Sequence, residues 1–279
     1  MGKITLTWNA TANVCVEWKG QRIFFDPWFH RIEKSDPKIK NTIDFVNEGP
    51  IFMSHGHFDH LQDVPTILAK KAGVTVYCSE IAKKTIDTQL HLRKEIDPSQ
   101  IQATLDRVHV IHGGDVVQLE KQGITVNVIP SKHVVFDFRT VMRVLFNPEV
   151  WKNSKIARGL LKDYPAGDVF GFDVHFGNDA RIVMFGSLWE KFPEILKQHA
   201  NPDIYIAPVA GRLDAGKIAL KIVDLLKPRI VIPVHHDNFY PPITYWVPLD
   251  ALKAGLKSRD PPVKFIELDY ERPTEIETG

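Results

Sequence analysis

The chain has 279 residues, of which 44% are hydrophobic and 25% charged. That composition is typical of a folded globular protein and excludes disordered, collagen-like and fibrous proteins. The 35 basic and 34 acidic residues nearly cancel, which argues against a broadly basic nucleic-acid-binding protein. The two cysteines, Cys15 and Cys78, cannot build a disulfide framework, so a reducing compartment is expected. The 12 histidines are the feature of the composition that needs an explanation.

The start of the chain, Met1 to Trp8, alternates apolar and polar residues and lacks the basic and apolar pattern of a signal peptide. No apolar run reaches the roughly 18 to 20 residues that a membrane-spanning helix needs. We therefore expect a cytoplasmic protein.

Strands are predicted early and late in the chain, with helices between them. The polar segment 31–41, rich in Lys, Asp and Pro, predicts a surface loop. A hairpin is expected between residues 107–111 and 116–119, turning at Gly113-Gly114. The other predicted strands are 4–8, 14–18, 22–26, 50–53, 74–77, 124–129, 169–176, 180–185, 204–207, 229–234 and 263–268, and the predicted helices are 80–90, 190–199, 215–226 and 249–257. Two packed sheets covered by helices is the simplest arrangement of these elements.

Basic and apolar residues are concentrated in the segment around 136–166. Residues 132–162 contain seven Lys or Arg against two acids, a local charge of +5, so the rest of the chain carries −4 of the total +1. The segment could form amphipathic helices that lie on the body with a solvated basic face. It could instead form a lid over a site for an anion, or a surface that touches lipid.

A dense cluster of histidines follows the predicted strand 50–53, in the sequence Ser54-His55-Gly56-His57-Phe58-Asp59-His60. Three imidazoles and a carboxylate within six residues would be a poor way to build a core, because each needs a hydrogen-bonding partner when buried. Zinc binds neutral imidazole nitrogens and carboxylate oxygens, so a tight loop that presents several of them together indicates a metal site.

The run His55 to His60 resembles the His-x-His-x-Asp-His signature of the metallo-β-lactamase fold superfamily. Other elements of that family match in chain order: Asp26 at the end of an early strand, His133 as the isolated metal-binding histidine, and His235 as the terminal histidine. The resemblance covers essentially the whole chain and looks closest to the ascorbate-6-phosphate lactonase-like and phospholipase D-like branches. It implies an α/β fold, a four-layer αββα sandwich of two mixed β-sheets flanked by helices. It implies a single domain over residues 1–279 with a helical insert at about 136–166.

The resemblance also implies the metal ligands. The first site would be formed by His55, His57 and His133, and the second by Asp59, His60 and His235. One element departs from the family: this chain has Gly186-Ser187 where the family usually has a Gly followed by a metal-bridging Asp. A neutral hydroxyl is a poorer bridge between two dications, so one or two ions are expected, zinc first, with Mn, Fe or Ni also suited to such ligands. Three further residues are candidates for a bridge or for contacts with the ligands: Ser187, Asp26 and His236.

Hydrolysis is the expected reaction, since a metal lowers the pKa of bound water to about 7 and supplies a hydroxide that can cleave an ester, lactone or phosphodiester. Asp59 would be catalytic if the second metal is absent, because it could orient or deprotonate that water. The basic segment favours a small anionic substrate, and no specific nucleic-acid partner is expected. Two alternatives stay open: a binding or regulatory protein with a degenerate second site, and a phospholipase D-like lipid hydrolase that contacts a membrane surface through 136–166. A serine hydrolase at Ser187 is disfavoured, because the Gly-x-Ser-x-Gly pattern is absent.

Overall fold

The computed structural model describes residues 2–135, 142, 146, 148–187 and 192–278, without the side chains of 151–158. The strands are β1 (Gly2–Trp8), β2 (Val14–Trp18), β3 (Gln21–Phe25), β4 (Gly49–Phe52), β5 (Val74–Cys78), β6 (Val108–Val110), β7 (Val116–Leu119), β8 (Ile124–Ser131), β9 (Val169–Phe176), β10 (Ala180–Phe185), β11 (Ile204–Pro208), β12 (Ile230–Val234), β13 (Lys264–Phe265) and β14 (Thr274–Thr278). The helices are α1 (Phe58–Leu61), α2 (Val64–Lys70), α3 (Glu80–Leu92), α4 (Ile101–Leu105), α5 (Pro148–Asp163), α6 (Pro193–Gln198), α7 (Ala215–Leu226) and α8 (Asp250–Lys257).

The strands form two seven-stranded mixed sheets. The first has the order β14-β1-β2-β3-β4-β5-β6, and the second has the order β13-β12-β11-β10-β9-β8-β7. In the first sheet the pairs from β14 to β3 are antiparallel and those from β3 to β6 are parallel. In the second sheet the pairs from β7 to β10 are antiparallel and those from β10 to β13 are parallel. Each sheet thus combines a hairpin-like half with a parallel half.

Alternate residues of the strands face different layers. In β10, Ile182 and Met184 point into the core between the two sheets, whereas Val183 and Phe185 pack on the helices of the second sheet. Side chains alternate between the two faces along any strand, and here both faces are buried. A third apolar cluster lies between the first sheet and helices α1 to α4. The predicted four-layer αββα sandwich is therefore confirmed.

The predicted hairpin between 107–111 and 116–119 is wrong. Strand β6 pairs in parallel with β5 at the edge of the first sheet, whereas β7 pairs with β8 at the edge of the second. Gly114 donates its backbone N–H to Val128 of β8 at 2.8 Å, so the turn carries the chain from one sheet to the other. The strand predicted at 263–268 is shorter in the structure, where it is β13. Strand β14, which pairs with β1, was not predicted, because Ile276 is its only apolar residue.

The basic segment is described mainly through helix α5. Residues 136–141, 143–145 and 147 lie outside the described part of the chain, and so do 188–191, where the predicted helix 190–199 was expected to begin. The described part of that helix is α6. Among the helices that the structure describes, no segment combines the length and apolar character needed to cross a membrane.

Candidate metal centre

Five strands bring the predicted site residues to one edge of the sandwich. In the first sheet, β3 runs parallel to β4. In the second sheet, β8 and β10 are both antiparallel to β9, so they run parallel to each other, and β12 shares the direction of β10 through β11. Parallel strands end at the same edge of a sheet, which is where ligand-binding residues of α/β proteins collect. The residues that follow these strands are Asp26, 54–60, His133, Ser187 and His235.

Three histidines form the first ligand group: His55, His57 and His133. One ring nitrogen from each lies within 4.8 Å of the other two. His55 Nε2 and His57 Nδ1 are 3.2 Å apart, so these two nitrogens face a common point. The Nδ1 of His133 donates to its neighbour's backbone carbonyl, Val134 O, at 3.0 Å, which leaves the lone pair on Nε2.

Burial keeps these three imidazoles neutral. It places the pKa of His55 well below the usual 6.5, lowers the pKa of His57 to about 4 and lowers the pKa of His133. The neighbouring histidines add to the effect for His55, because a second positive charge beside it is unfavourable. Neutral imidazoles at physiological pH are the form that binds a metal ion.

The second ligand group contains Asp59, His60 and His235, again with one ligand atom each within 4.8 Å of the others. Asp59 Oδ2 lies 3.6 Å from His60 Nε2 and 3.4 Å from His235 Nε2. Burial by itself would raise the pKa of Asp59, but the two histidines outweigh it and hold that pKa well below its usual range. The group therefore carries a permanent carboxylate, and the His55 and His60 rings, 3.9 Å apart between centroids, join it to the first group.

Asp26 contacts the second ligand group through the Nδ1 side of the His60 ring. Its Oδ2 lies 2.9 Å from His60 Nδ1 and accepts from Ser54 Oγ at 2.5 Å, while its Oδ1 accepts from Ser54 N at 2.7 Å. Burial would lower the pKa of His60, but the carboxylates of Asp26 and Asp59 together raise it. Such a carboxylate behind a histidine fixes which ring nitrogen faces the ligand site. Gly186 packs directly against Ser54, and no larger residue fits at this position, because a Cβ there would lie 1.7 Å from Ser54 Oγ.

Ser187 lies beside the loop that carries His133. Its hydroxyl accepts the backbone N–H of Val134 at 2.8 Å. A neutral hydroxyl oxygen has two lone pairs, and this hydrogen bond uses one of them. Ser187 therefore cannot bridge two ions while it holds Val134, and its contact in the structure is with the backbone next to His133.

His236 is part of neither ligand group. Its ring packs between Trp8 and Trp246, with centroids 4.9 Å and 6.0 Å away. Burial lowers its pKa to about 4, so it is a neutral side chain of an aromatic cluster that also includes Tyr270.

Three residues near the site were not predicted from the sequence: Thr11, Arg31 and Asp237. Arg31 begins the segment predicted to be a surface loop, but its side chain is only 6% exposed and pairs with Asp237 at 2.8 Å. The one available signal was the position of Asp237, two residues after His235 in the chain. An arginine at the start of a Lys-rich and Pro-rich segment gives no sign of burial.

The two ligand groups fit divalent metal ions. Three neutral imidazoles with an open fourth position are a complete catalytic zinc arrangement, and an aspartate with two histidines is an equally suitable donor set. One buried and two half-buried imidazoles with their nitrogens gathered within 4.8 Å, two of them 3.2 Å apart, are explained by a shared cation better than by hydrogen bonds among themselves.

This combination of a four-layer αββα sandwich with adjoining histidine and aspartate groups at one sheet edge defines a protein of the metallo-β-lactamase fold class. A family model described as a Beta-lactamase superfamily domain matches residues 5–235, and the chain belongs to that family.

Relatives and solved structures agree with that assignment. A UPF0173 metal-dependent hydrolase from Aeropyrum pernix is 29% identical over 253 residues, covering 89% of this chain and 88% of its own. Another from Polynucleobacter asymbioticus is 28% identical over 247 residues, covering 85% and 75%. The metallo hydrolase Igni18 from Ignicoccus hospitalis shares the fold, with a TM-score of 0.67 at 18% identity over 99% of this chain and 100% of that chain. The predicted class, a metal-dependent hydrolase of the metallo-β-lactamase superfamily, is confirmed.

Proposed function

We propose that the two ligand groups hold one or two zinc ions and that the protein hydrolyses an ester, lactone or phosphodiester bond in a small anionic molecule. One observation carries the proposal: two sets of three ligand atoms, each set within 4.8 Å, lie side by side at the edge where both sheets end. Manganese, iron and nickel suit the same nitrogen and oxygen donors. The metal, when bound, supplies an activated water and polarises the bond that is cleaved.

The side chains have distinct roles in this proposal. His55, His57 and His133 bind the first ion through their lone pairs, while Asp59, His60 and His235 bind a second ion. Asp59 is the proposed catalytic residue in the absence of that second ion. Because its pKa is held well below the usual range, Asp59 is ionised at physiological pH and suits the orientation of a water molecule better than the storage of its proton.

An anionic substrate is supported by Lys132 and by the net charge of the sequence segment that begins there. Lys132 is exposed and adjoins His133, with its Nζ 5.2 Å from the centre of the Phe192 ring. Residues 132–162 carry the local charge of +5. Positive charge beside a metal site, such as that of Lys132, raises the local concentration of an anion. The cytoplasmic location and the lipid contact through 136–166 stay predictions.

The test is metal content combined with activity. Protein purified without chelators is analysed for Zn, Mn, Fe and Ni and assayed on aryl esters, lactones and bis(p-nitrophenyl) phosphate. We expect one or two ions per chain and hydrolysis of at least one substrate class, with both lost or reduced in His133→Ala. The matched control is His91→Ala, on the exposed face of α3, which should change neither. A metal-free protein that stays inactive after addition of Zn or Mn would refute the proposal.

A further inference from the structure

A buried ion pair joins three loops next to the second ligand group. Arg31, after β3, lies 2.8 Å from Asp237 Oδ2 and donates to Thr11 Oγ1 at 2.9 Å. Thr11, between β1 and β2, donates its backbone N–H to Asp237 Oδ1 at 2.9 Å. The Arg31 side chain is 6% exposed and that of Asp237 is 0% exposed. Both carboxylate oxygens of Asp237 are thus occupied by fixed donors from two other loops.

The same network reaches the backbone of His235. The N–H of His235 donates to Thr11 O at 2.9 Å, and Trp8 Nε1 donates to the same oxygen at 2.8 Å. His235 has φ +62° and Thr11 has φ +50°, both in the left-handed region that side chains with a Cβ disfavour. Such conformations persist only where the surrounding structure holds them. Here that structure is the Arg31–Asp237 pair and its contacts with Thr11.

Stability alone gives a weak reason for burying these charges. A buried ion pair often adds no more stability than well-packed apolar side chains would, whereas its directional hydrogen bonds fix one geometry. Asp237 is two residues from His235, and Thr11 contacts both residues, so the geometry being fixed is that of the loop carrying His235.

We propose that Arg31 and Asp237 are positioning residues that hold His235 in the orientation required by the second ligand group, an inference that rests on the proposed metal site. The pair acts through Thr11 and the strained backbone at His235. Neither side chain contacts the substrate or an ion in this proposal.

The chain offers a matched control in the second sheet. Arg181 of β10 forms a two-pronged pair with Asp173 of β9, at 2.8 Å and 2.7 Å, and the carboxylate of Asp173 is similarly buried. Those residues belong to no ligand group. Arg31→Met and Arg181→Met therefore each remove an arginine from a buried aspartate, but only the first lies beside His235.

The experiment measures Zn²⁺ binding by competition with a fluorescent chelator, together with urea unfolding and histidine ring NMR spectra. His235→Ala identifies the binding step that belongs to the second ligand group. In Arg31→Met we expect that step to weaken about 10- to 100-fold, with the step at His55, His57 and His133 unchanged. Arg181→Met should lose stability and keep both steps. Arg31→Lys keeps the charge but cannot donate to Thr11 and Asp237 at the same time, so it should give an intermediate loss of Zn²⁺ affinity at the second ligand group. This variant keeps the test decisive if Arg31→Met fails to fold.

The inference would be overturned if Arg31→Met, Arg31→Lys and Arg181→Met all bound Zn²⁺ at the second ligand group with the same affinity. If the wild-type protein binds neither Zn²⁺ nor Mn²⁺, the proposed function fails, and the positioning role is decided on the metal-free protein. The His235 ring resonances should then shift in the Arg31 variants and stay in place in Arg181→Met. Unshifted His235 resonances in the Arg31 variants would refute positioning in that case as well.

Discussion

Replacement of Ser187 by alanine tests whether this serine acts by holding the loop of His133. The hydroxyl accepts the Val134 N–H at 2.8 Å, and the residue is 5% exposed. Alanine removes the acceptor and leaves the Val134 N–H without that partner. Because His133 directly precedes Val134 in the chain, the effect should reach the first ligand group.

The expected magnitude follows from the lost hydrogen bond. A buried donor left without its acceptor costs about 1–3 kcal/mol, and the half-buried position of Val134 places the cost at about 1–2 kcal/mol, because water can partly replace the serine. If the full free-energy cost of the lost hydrogen bond opposes metal binding through displacement of His133, metal affinity at the first ligand group falls roughly 5- to 30-fold, at about 1.4 kcal/mol for each factor of ten.

The assay is Zn²⁺ affinity by chelator competition, with urea unfolding measured in parallel. Ser131→Ala is the matched control: Ser131 lies two residues before His133, and its buried Oγ has no hydrogen-bond partner among the described residues. We expect that control to keep its Zn²⁺ affinity and to change stability by less than about 0.5 kcal/mol. Equal affinities in Ser187→Ala, Ser131→Ala and the wild type would refute the positional role of Ser187.

Three other predictions concern stability. Gly186→Ala should destabilise the fold by about 1–3 kcal/mol, because the new Cβ would lie 1.7 Å from Ser54 Oγ; urea unfolding measures this loss. Burial opposes the ionisation of Asp173, but hydrogen bonds from Arg181 and His199 lower its pKa from 3.8 to about 2. This stabilisation, about 2 kcal/mol, is present above about pH 4 and lost as the pH falls towards 2, so Asp173→Asn should flatten the acid limb of the stability profile. Chelation should lower the melting temperature, since an ion at 100 times its Kd stabilises the folded state by about 2.7 kcal/mol.

Each of these predictions has a control or a contrary result. Gly159→Ala, in helix α5, where no atom of the described residues outside the helix's own backbone lies within 4 Å of the new Cβ, should instead stabilise by up to about 1 kcal/mol, and similar losses in both glycine variants would count against the Gly186 contact. An acid limb equally steep in Asp173→Asn would show that other carboxylates dominate. Melting temperatures unchanged by chelation and by added Zn²⁺ would argue against a bound ion.

Local signals in the sequence were sufficient to predict two packed sheets covered by helices and to select the histidine-rich run, whereas the four-layer fold was implied by the family resemblance. His55, His57, Asp59 and His60 lie within six residues, so one loop brings them together whatever the rest of the chain does. His133 and His235 were assigned through the family resemblance, and the structure places both beside that loop. The role of all six as metal ligands stays a prediction.

Long-range pairing accounts for what the sequence could not predict. Gly113-Gly114 is a turn signal, but a turn signal does not say whether the next strand returns to the same sheet. Likewise, the charge of Arg31 predicts exposure, and its burial depends on partners that are distant in the chain, above all Asp237, which follows β12. Both errors come from contacts between residues far apart in the chain.

Each ligand group takes its residues from both sheets: His55, His57, Asp59 and His60 follow β4 of the first, whereas His133 and His235 follow β8 and β12 of the second. Neither half of the sandwich can assemble a complete group alone. Because each group is complete only when both sheets are docked, an ion held here would report the docking of the two halves. The rate of metal release during unfolding would accordingly time the separation of the sheets, without any label placed on the protein.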